Sequence, residues 1–166
     1  MTVYDDGVLT AYSKRIKKGL SIAIAPLCFM AAISVALCFF LNEDRSNANL
    51  LHYIIVAVNA LIGWFSLSVV LANVLPALKR KRFIRGVLSA PKKIVSGKVL
   101  SIGGAVTVRE NVKALEIAID RGGSGYTVYF DAEECELRFR VGDALKMSVA
   151  RNFICEYEVA DDEKEV

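Results

Sequence analysis

Two kinds of hydrophobic pattern divide the chain. From Gly19 to Leu41 the sequence GLSIAIAPLCFMAAISVALCFFL contains no charged residue, and a second apolar run extends from Leu50 to about Leu75. At a rise of about 1.5 Å per residue, each run is long enough to cross a hydrocarbon core about 30 Å thick. From about Ile94 the period changes, and apolar side chains alternate with polar ones. That period of two predicts strands with one buried face. The expected architecture is a two-helix transmembrane hairpin followed by a small antiparallel β-barrel of the OB or SH3-like kind, because closure removes exposed strand edges.

The boundaries follow from where the pattern breaks. Residues 1–18 form an N-terminal segment in which Val8, Leu9, Tyr12 and Ile16 recur at helical spacing. Residues 19–41 form the first span, residues 42–49 a polar loop, and residues 50–76 the second span. Residues 77–93 (ALKRKRFIRGVLSAPKK) are a basic juxtamembrane linker, broken at Gly86, Ser89, Ala90 and Pro91. Phe83, Ile84, Val87 and Leu88 are expected to lie in the membrane interface beside its charges. Residues 94–160 form the barrel, and residues 161–166 an acidic tail.

Within the barrel region, Ile94 to Ile102 reads as a strand interrupted at Gly97, and Gly103-Gly104 as a hairpin turn leading to Ala105–Val108. Val112 to Ile119 is the next strand, and residues 121–125 a glycine-rich loop. Tyr126, Val128 and Phe130 alternate, then Leu137, Phe139 and Val141. After a Gly142-Asp143 turn, Leu145, Met147 and Val149 alternate, and finally Phe153, Cys155, Tyr157 and Val159.

Charge adds an orientation. Lys14, Arg15, Lys17 and Lys18 precede the first span. Lys79, Arg80, Lys81, Arg82, Arg85, Lys92, Lys93 and Lys98 follow the second without an acid among them. The loop holds Glu43, Asp44 and Arg45. The positive-inside rule then places both termini in the cytoplasm, making the chain a multi-pass integral membrane protein. The overall charge of +3 comes from these flanks, since residues 99–166 carry −6. An acidic barrel repels phosphate backbones, so nucleic acid is not the expected partner.

Candidate residues fall into two groups. Lys79, Arg80, Lys81, Arg82, Arg85, Lys92 and Lys93 suit contact with anionic lipid headgroups, at roughly 1 kcal/mol each near such a surface. They also serve as the topology determinant that any chain of this orientation needs. Asn59, Gly63 and Ser66 lie along one face of the second span, where small and polar residues favour close helix packing, within the hairpin or in a homo-oligomer.

Pro26 removes a hydrogen bond inside the first span and is expected to kink it. Cys28 and Cys38 read there as small hydrophobes. His52 reads as an interfacial side chain. Cys135 and Cys155 fit neither a disulfide in a reducing compartment nor a zinc spacing. Asp131, Glu133, Glu134 and Glu136 read as a solvated acidic loop, their spacing matching no calcium loop. No phosphate-binding or nucleophile motif is present. The chain is therefore not expected to be an enzyme or to carry a cofactor or metal.

The layout of membrane helices followed by a small cytoplasmic barrel, with Gly97-Lys98-Val99 opening it and Val141-Gly142-Asp143 later, resembles the NfeD family. That resemblance implies a terminal OB-like domain and a scaffold role beside membrane proteases and flotillin-like proteins. The function expected is a non-catalytic adaptor or accessory module that presents the barrel to a protein partner at the membrane. The alternative is a homo-oligomeric transport or channel component working through the hairpin.

Overall fold

The computed structural model describes residues 1–41, 48–108 and 112–160. The expected loop, up to residue 47, and the acidic tail lie outside them. Three helices come first: α1 (Asp6–Leu41), α2 (Ala48–Val69) and α3 (Leu75–Leu88), the last two joined by a π-turn at Val70–Val74. Five strands follow: β1 (Lys93–Val108), β2 (Val112–Arg121), β3 (Ser124–Phe130), β4 (Ala144–Ala150) and β5 (Phe153–Ala160). They form two compact units, Tyr12–Leu78 and, separately, Met1–Ala11 with Lys79–Val166.

The helical unit is built from two helices long and apolar enough, by length and composition, to cross a membrane. Helix α1 starts where the Asp5 carboxylate accepts the Val8 N–H at 2.8 Å, an N-cap that satisfies an orphan donor. It continues through Pro26. Pro76 also fails to end its helix. It has no N–H to offer the carbonyl four residues back, and the chain absorbs this in one wide turn in which the Leu75 N–H reaches the Val70 carbonyl.

Small side chains mark where the two long helices meet. Gly19, Ala23, Ser66, Val74 and Ala77 are buried. A Cβ added at Gly19 would stand 2.9 Å from Val74 Cγ2. Asn59 Nδ2 donates to Ser34 Oγ at 3.0 Å. The same number of residues separates Gly19 from Ser34 as separates Asn59 from Val74, so both contacts belong to one antiparallel register. The outward faces carry Phe29, Leu61 and Trp64, each about two-thirds or more exposed (67%, 71% and 73%).

In the second unit the strands close into a barrel in the order β1-β2-β3-β5-β4, with β1 returning to β4. Neighbours are antiparallel except β3 and β5, which are parallel and joined at Tyr129–Phe153. The barrel is thus mixed, not purely antiparallel as expected. The reason is topological: the connection from β3 crosses to β4 before β5 comes back beside β3.

Strand β1 serves two neighbours. Its first half, Lys93–Lys98, pairs with β4, and Lys98–Val108 pairs with β2. It must bend between them. Gly97 permits the bend, because a Cβ there would collide with the Asp120 carbonyl and the Ile119 side chain. Register shifts at Val99/Ser101 and Ile102/Ala105 absorb the rest. Gly103-Gly104 is therefore part of a bulge inside one long strand and not a hairpin turn. Leu137, Phe139 and Val141 do not form a strand either. They lie in the β3–β4 connection, yet Phe139 is buried, its ring edge-on to Phe130 and Tyr157 at 5.8 and 5.0 Å. Alternation there reflects a side chain reaching the core from a loop.

Gly97→Val places branched carbons against backbone that cannot retreat. It is expected to lower the unfolding free energy by about 3 kcal/mol, read as a fall in melting temperature of the full chain in detergent. Gly104→Ala, where an added Cβ meets nothing within 4 Å, is expected to leave it within about 0.5 kcal/mol.

Candidate functional site

The polar centre of the second unit begins with a helix pattern. Along α3, Arg80, Phe83, Ile84 and Val87 recur at i, i+3, i+4 and i+7, and all four are buried. Phe83 packs edge-on against Phe153 at 4.8 Å and against Tyr4 at 6.4 Å. These residues pack within the barrel unit, so they do not form the membrane-interface face that the sequence suggests. The helix also runs past Gly86 to Leu88 instead of breaking there.

A guanidinium on that face has to meet a carboxylate. Asp131, fully buried at the end of β3, supplies it. Arg80 Nη2 donates to both Asp131 oxygens at 2.5 Å, and Arg80 Nε to Glu134 Oε1 at 3.3 Å. The Asp131 carboxylate also accepts the Tyr4 hydroxyl at 2.8 Å and the Glu133 N–H at 3.2 Å. Arg80 further lies 5.8 Å from the Phe83 ring centroid, in cation–π range. The guanidinium charge is thus countered, and its Nη2 and Nε are hydrogen-bonded, inside a poorly solvated space, which is what lets a buried ion pair be tolerated.

Tyr4 arrives with the N-terminal segment. Val3 N–H donates to the Cys155 carbonyl at 2.7 Å, and Tyr157 N–H to the Met1 carbonyl at 2.9 Å. Residues 1–3 therefore lie along β5 like a short extra strand, with Thr2 bridging Glu156. Burial, then the neighbouring Asp131 carboxylate, push the Tyr4 hydroxyl far above the ordinary phenol range, which keeps it a proton donor. Burial likewise pushes the Cys155 thiol up, so it stays protonated and unreactive.

The residues singled out from sequence divide accordingly. Arg80 is not presented to a headgroup, being held by Asp131 and Glu134. Lys79, Arg82 and Arg85 are exposed on the other face of α3, and Lys81 is half-buried. Lys92 Nζ lies 2.9 Å from Glu156 Oε1 in an exposed pair, while Lys93 is exposed. Asp131 and Glu134 are not part of a solvated loop. In the helical unit Asn59 bonds Ser34, and Ser66 is buried with no hydrogen-bond partner for its hydroxyl among the described residues. Gly63 faces open space, since an added Cβ meets nothing within 4 Å. Gly19 provides the close approach instead.

Chemically, the arrangement holds three chain segments together: the N-terminal strand, α3 and the β3–β4 connection. The signal for Arg80 was present in sequence, as a charge on the apolar stripe of a helix. Nothing in the sequence pointed to Tyr4. Comparison of the chain with protein-family models, curated proteins and solved structures finds no match, so the likeness to the NfeD family remains one of layout.

Asp131→Ala leaves a buried guanidinium without its main partner and is expected to cost about 3–5 kcal/mol. The double variant Arg80→Met/Asp131→Leu is expected to recover most of that loss, as measured by thermal unfolding of the full chain in detergent. Tyr4 gives a pH signature. Its raised folded value means its contribution is fully present below the unfolded value of 10.0 and is lost as pH rises above it. Tyr4→Phe is expected to lower neutral stability by about 1–2 kcal/mol and to make the alkaline decline in melting temperature shallower.

Proposed function

We propose that this chain is an integral membrane protein whose helices form a two-span hairpin and whose barrel, of the OB type, serves as a non-catalytic adaptor at the cytoplasmic face. The observation that carries this reading is connectivity. The chain leaves the barrel unit through α1 and returns to it through α3, while the two long helices between expose Phe29, Leu61 and Trp64 outward. Apolar side chains so exposed have a natural surrounding in lipid. An even number of crossings lets both ends join one folded unit, and the basic flanks favour an inside placement of that unit by the positive-inside rule.

Two features favour an uncleaved hairpin with a binding barrel. Val3 and Tyr4 are built into the barrel unit, and cleavage after α1 would remove them. The closed five-stranded order 1-2-3-5-4 with β3 parallel to β5 supports the OB reading over the SH3-like one. The adaptor role rests on the barrel's outside. Leu100 and Val141, 52% and 58% exposed, flank the hydrogen bond from Gly142 N–H to the Val99 carbonyl. Exposed apolar side chains beside one another suit a protein partner. Asn59, which a transport path would need, is already engaged with Ser34.

In a cysteine-free background, Ser46→Cys is expected to react with a membrane-impermeant maleimide from outside intact cells. Thr107→Cys is expected to react only after the membrane is opened. Labelling of both from the same side overturns the hairpin. For the adaptor role, a photo-crosslinker at Val141 is expected to capture one defined protein, and Leu100→Glu to abolish that capture. Crosslinks that survive Leu100→Glu unchanged count against this surface.

A further inference from the structure

A cleft of about 430 Å³ opens on the barrel unit where the segment after α3 passes the β4–β5 turn. Val149 forms part of its wall, and Ser89, Lys93, Tyr126, Arg151 and Asn152 bring polar groups to it. Among the described residues, its charged lining residues are Lys93 and Arg151, with no carboxylate. Among the described residues neither makes an ion pair or a side-chain hydrogen bond. Lys92, next along the chain, is by contrast taken by Glu156.

Arg151 occupies an unusual position. It and Asn152 are the two residues of the β4–β5 turn, with φ of +52° and +67°. Such a turn favours Asn and Gly, because a side chain in the left-handed region is strained. Asn suits its place, whereas Arg does not. The neighbouring helix accommodates the side chain: a Cβ at Gly86 would stand 3.0 Å from Arg151 Nη1, so only the bare glycine leaves it ordinary room. The carbonyl end of α3 attracts a cation, but a guanidinium carries five N–H donors and the helix accepts no hydrogen bond from it. The Asn152 Oδ1 accepts the Tyr126 hydroxyl at 3.2 Å, which leaves the Asn152 NH₂ as a donor.

We propose that this cleft binds a phosphate monoester. Arg151 and Lys93 supply two positive charges to a dianion, and the guanidinium fork matches its oxygens. Asn152 Nδ2 adds a neutral donor, and Ser89 stands at the same opening. The space exceeds what a bare phosphate needs and admits a small alcohol attached to it. The same chemistry is offered by a soluble ester and by a lipid headgroup. The site does not depend on the adaptor reading.

The test titrates full-length protein in detergent, by calorimetry, with glycerol 3-phosphate and separately with phosphatidate in mixed micelles. Saturable binding of either supports the site. Binding of glycerol 3-phosphate identifies a soluble monoester as sufficient, and binding of phosphatidate alone identifies a lipid source. Arg151→Gly removes the cation and suits the positive φ, so its melting temperature without ligand is expected to equal or exceed that of the parent. Its affinity, and that of Lys93→Gln, is expected to fall about tenfold or more. Lys113→Gln, exposed on β2 and outside the cleft, is expected to bind as the parent does. The proposal is overturned if neither probe saturates, if Arg151→Gly binds as tightly as the parent, or if Lys113→Gln loses as much as Lys93→Gln.

Discussion

The ion pair between Arg80 and Asp131 is the constraint on which the barrel unit depends. A guanidinium on the buried face of α3 is too costly to leave unmatched, and the carboxylate that matches it stands at the end of β3. The register of α3 against the barrel follows from that demand. A shift of one residue would carry Arg80 away from Asp131 and turn Phe83, Ile84 and Val87 out of their contacts. Replacing both charges by apolar groups need not destabilise the fold. What the pair contributes is a single admissible position, and Tyr4 extends the same condition to the N-terminal segment by bonding the same carboxylate.

That segment also bears on how the barrel closes. Strands β3 and β5 meet at one bridge, Tyr129–Phe153, and beyond it β5 would present unpaired backbone groups. Residues 1–3 take those groups instead, through Val3 with Cys155 and Met1 with Tyr157. The first residues of the chain thus complete an edge formed by nearly its last described ones. A barrel strand edge left open is a site for unwanted pairing, and here the protection comes from sequence more than a hundred residues away.

This distance explains what could be read beforehand and what could not. The two apolar runs and the alternation of β2 to β5 are local signals, and the helices and most strands lie where those signals put them. Gly103-Gly104 looked like a turn because adjacent glycines usually are one; inside β1 the demand to bend between two partners took precedence. Phe139 alternated with arginines like a strand residue, although its burial comes from a loop crossing the barrel. Arg80 was legible in principle, since its spacing with Phe83, Ile84 and Val87 marks a buried charge, but the density of bases around it suggested a uniform basic collar. Tyr4 and the parallel β3–β5 contact depend on long-range topology alone.

The two faces of α3 sharpen what the basic collar is able to do. Arg80 belongs to the interior and Lys92 to Glu156, which leaves Lys79, Arg82 and Arg85 as the exposed cations of the helix. At roughly 1 kcal/mol each near an anionic surface, such a set orients a protein more than it holds one. The holding, in the membrane reading, falls to the apolar helices, whose antiparallel register is fixed by the Gly19–Val74 approach and the Asn59–Ser34 hydrogen bond. In that reading attachment and orientation fall to separate residues, and the same fourteen-residue helix that exposes Lys79, Arg82 and Arg85 on one side buries Arg80, Phe83, Ile84 and Val87 on the other.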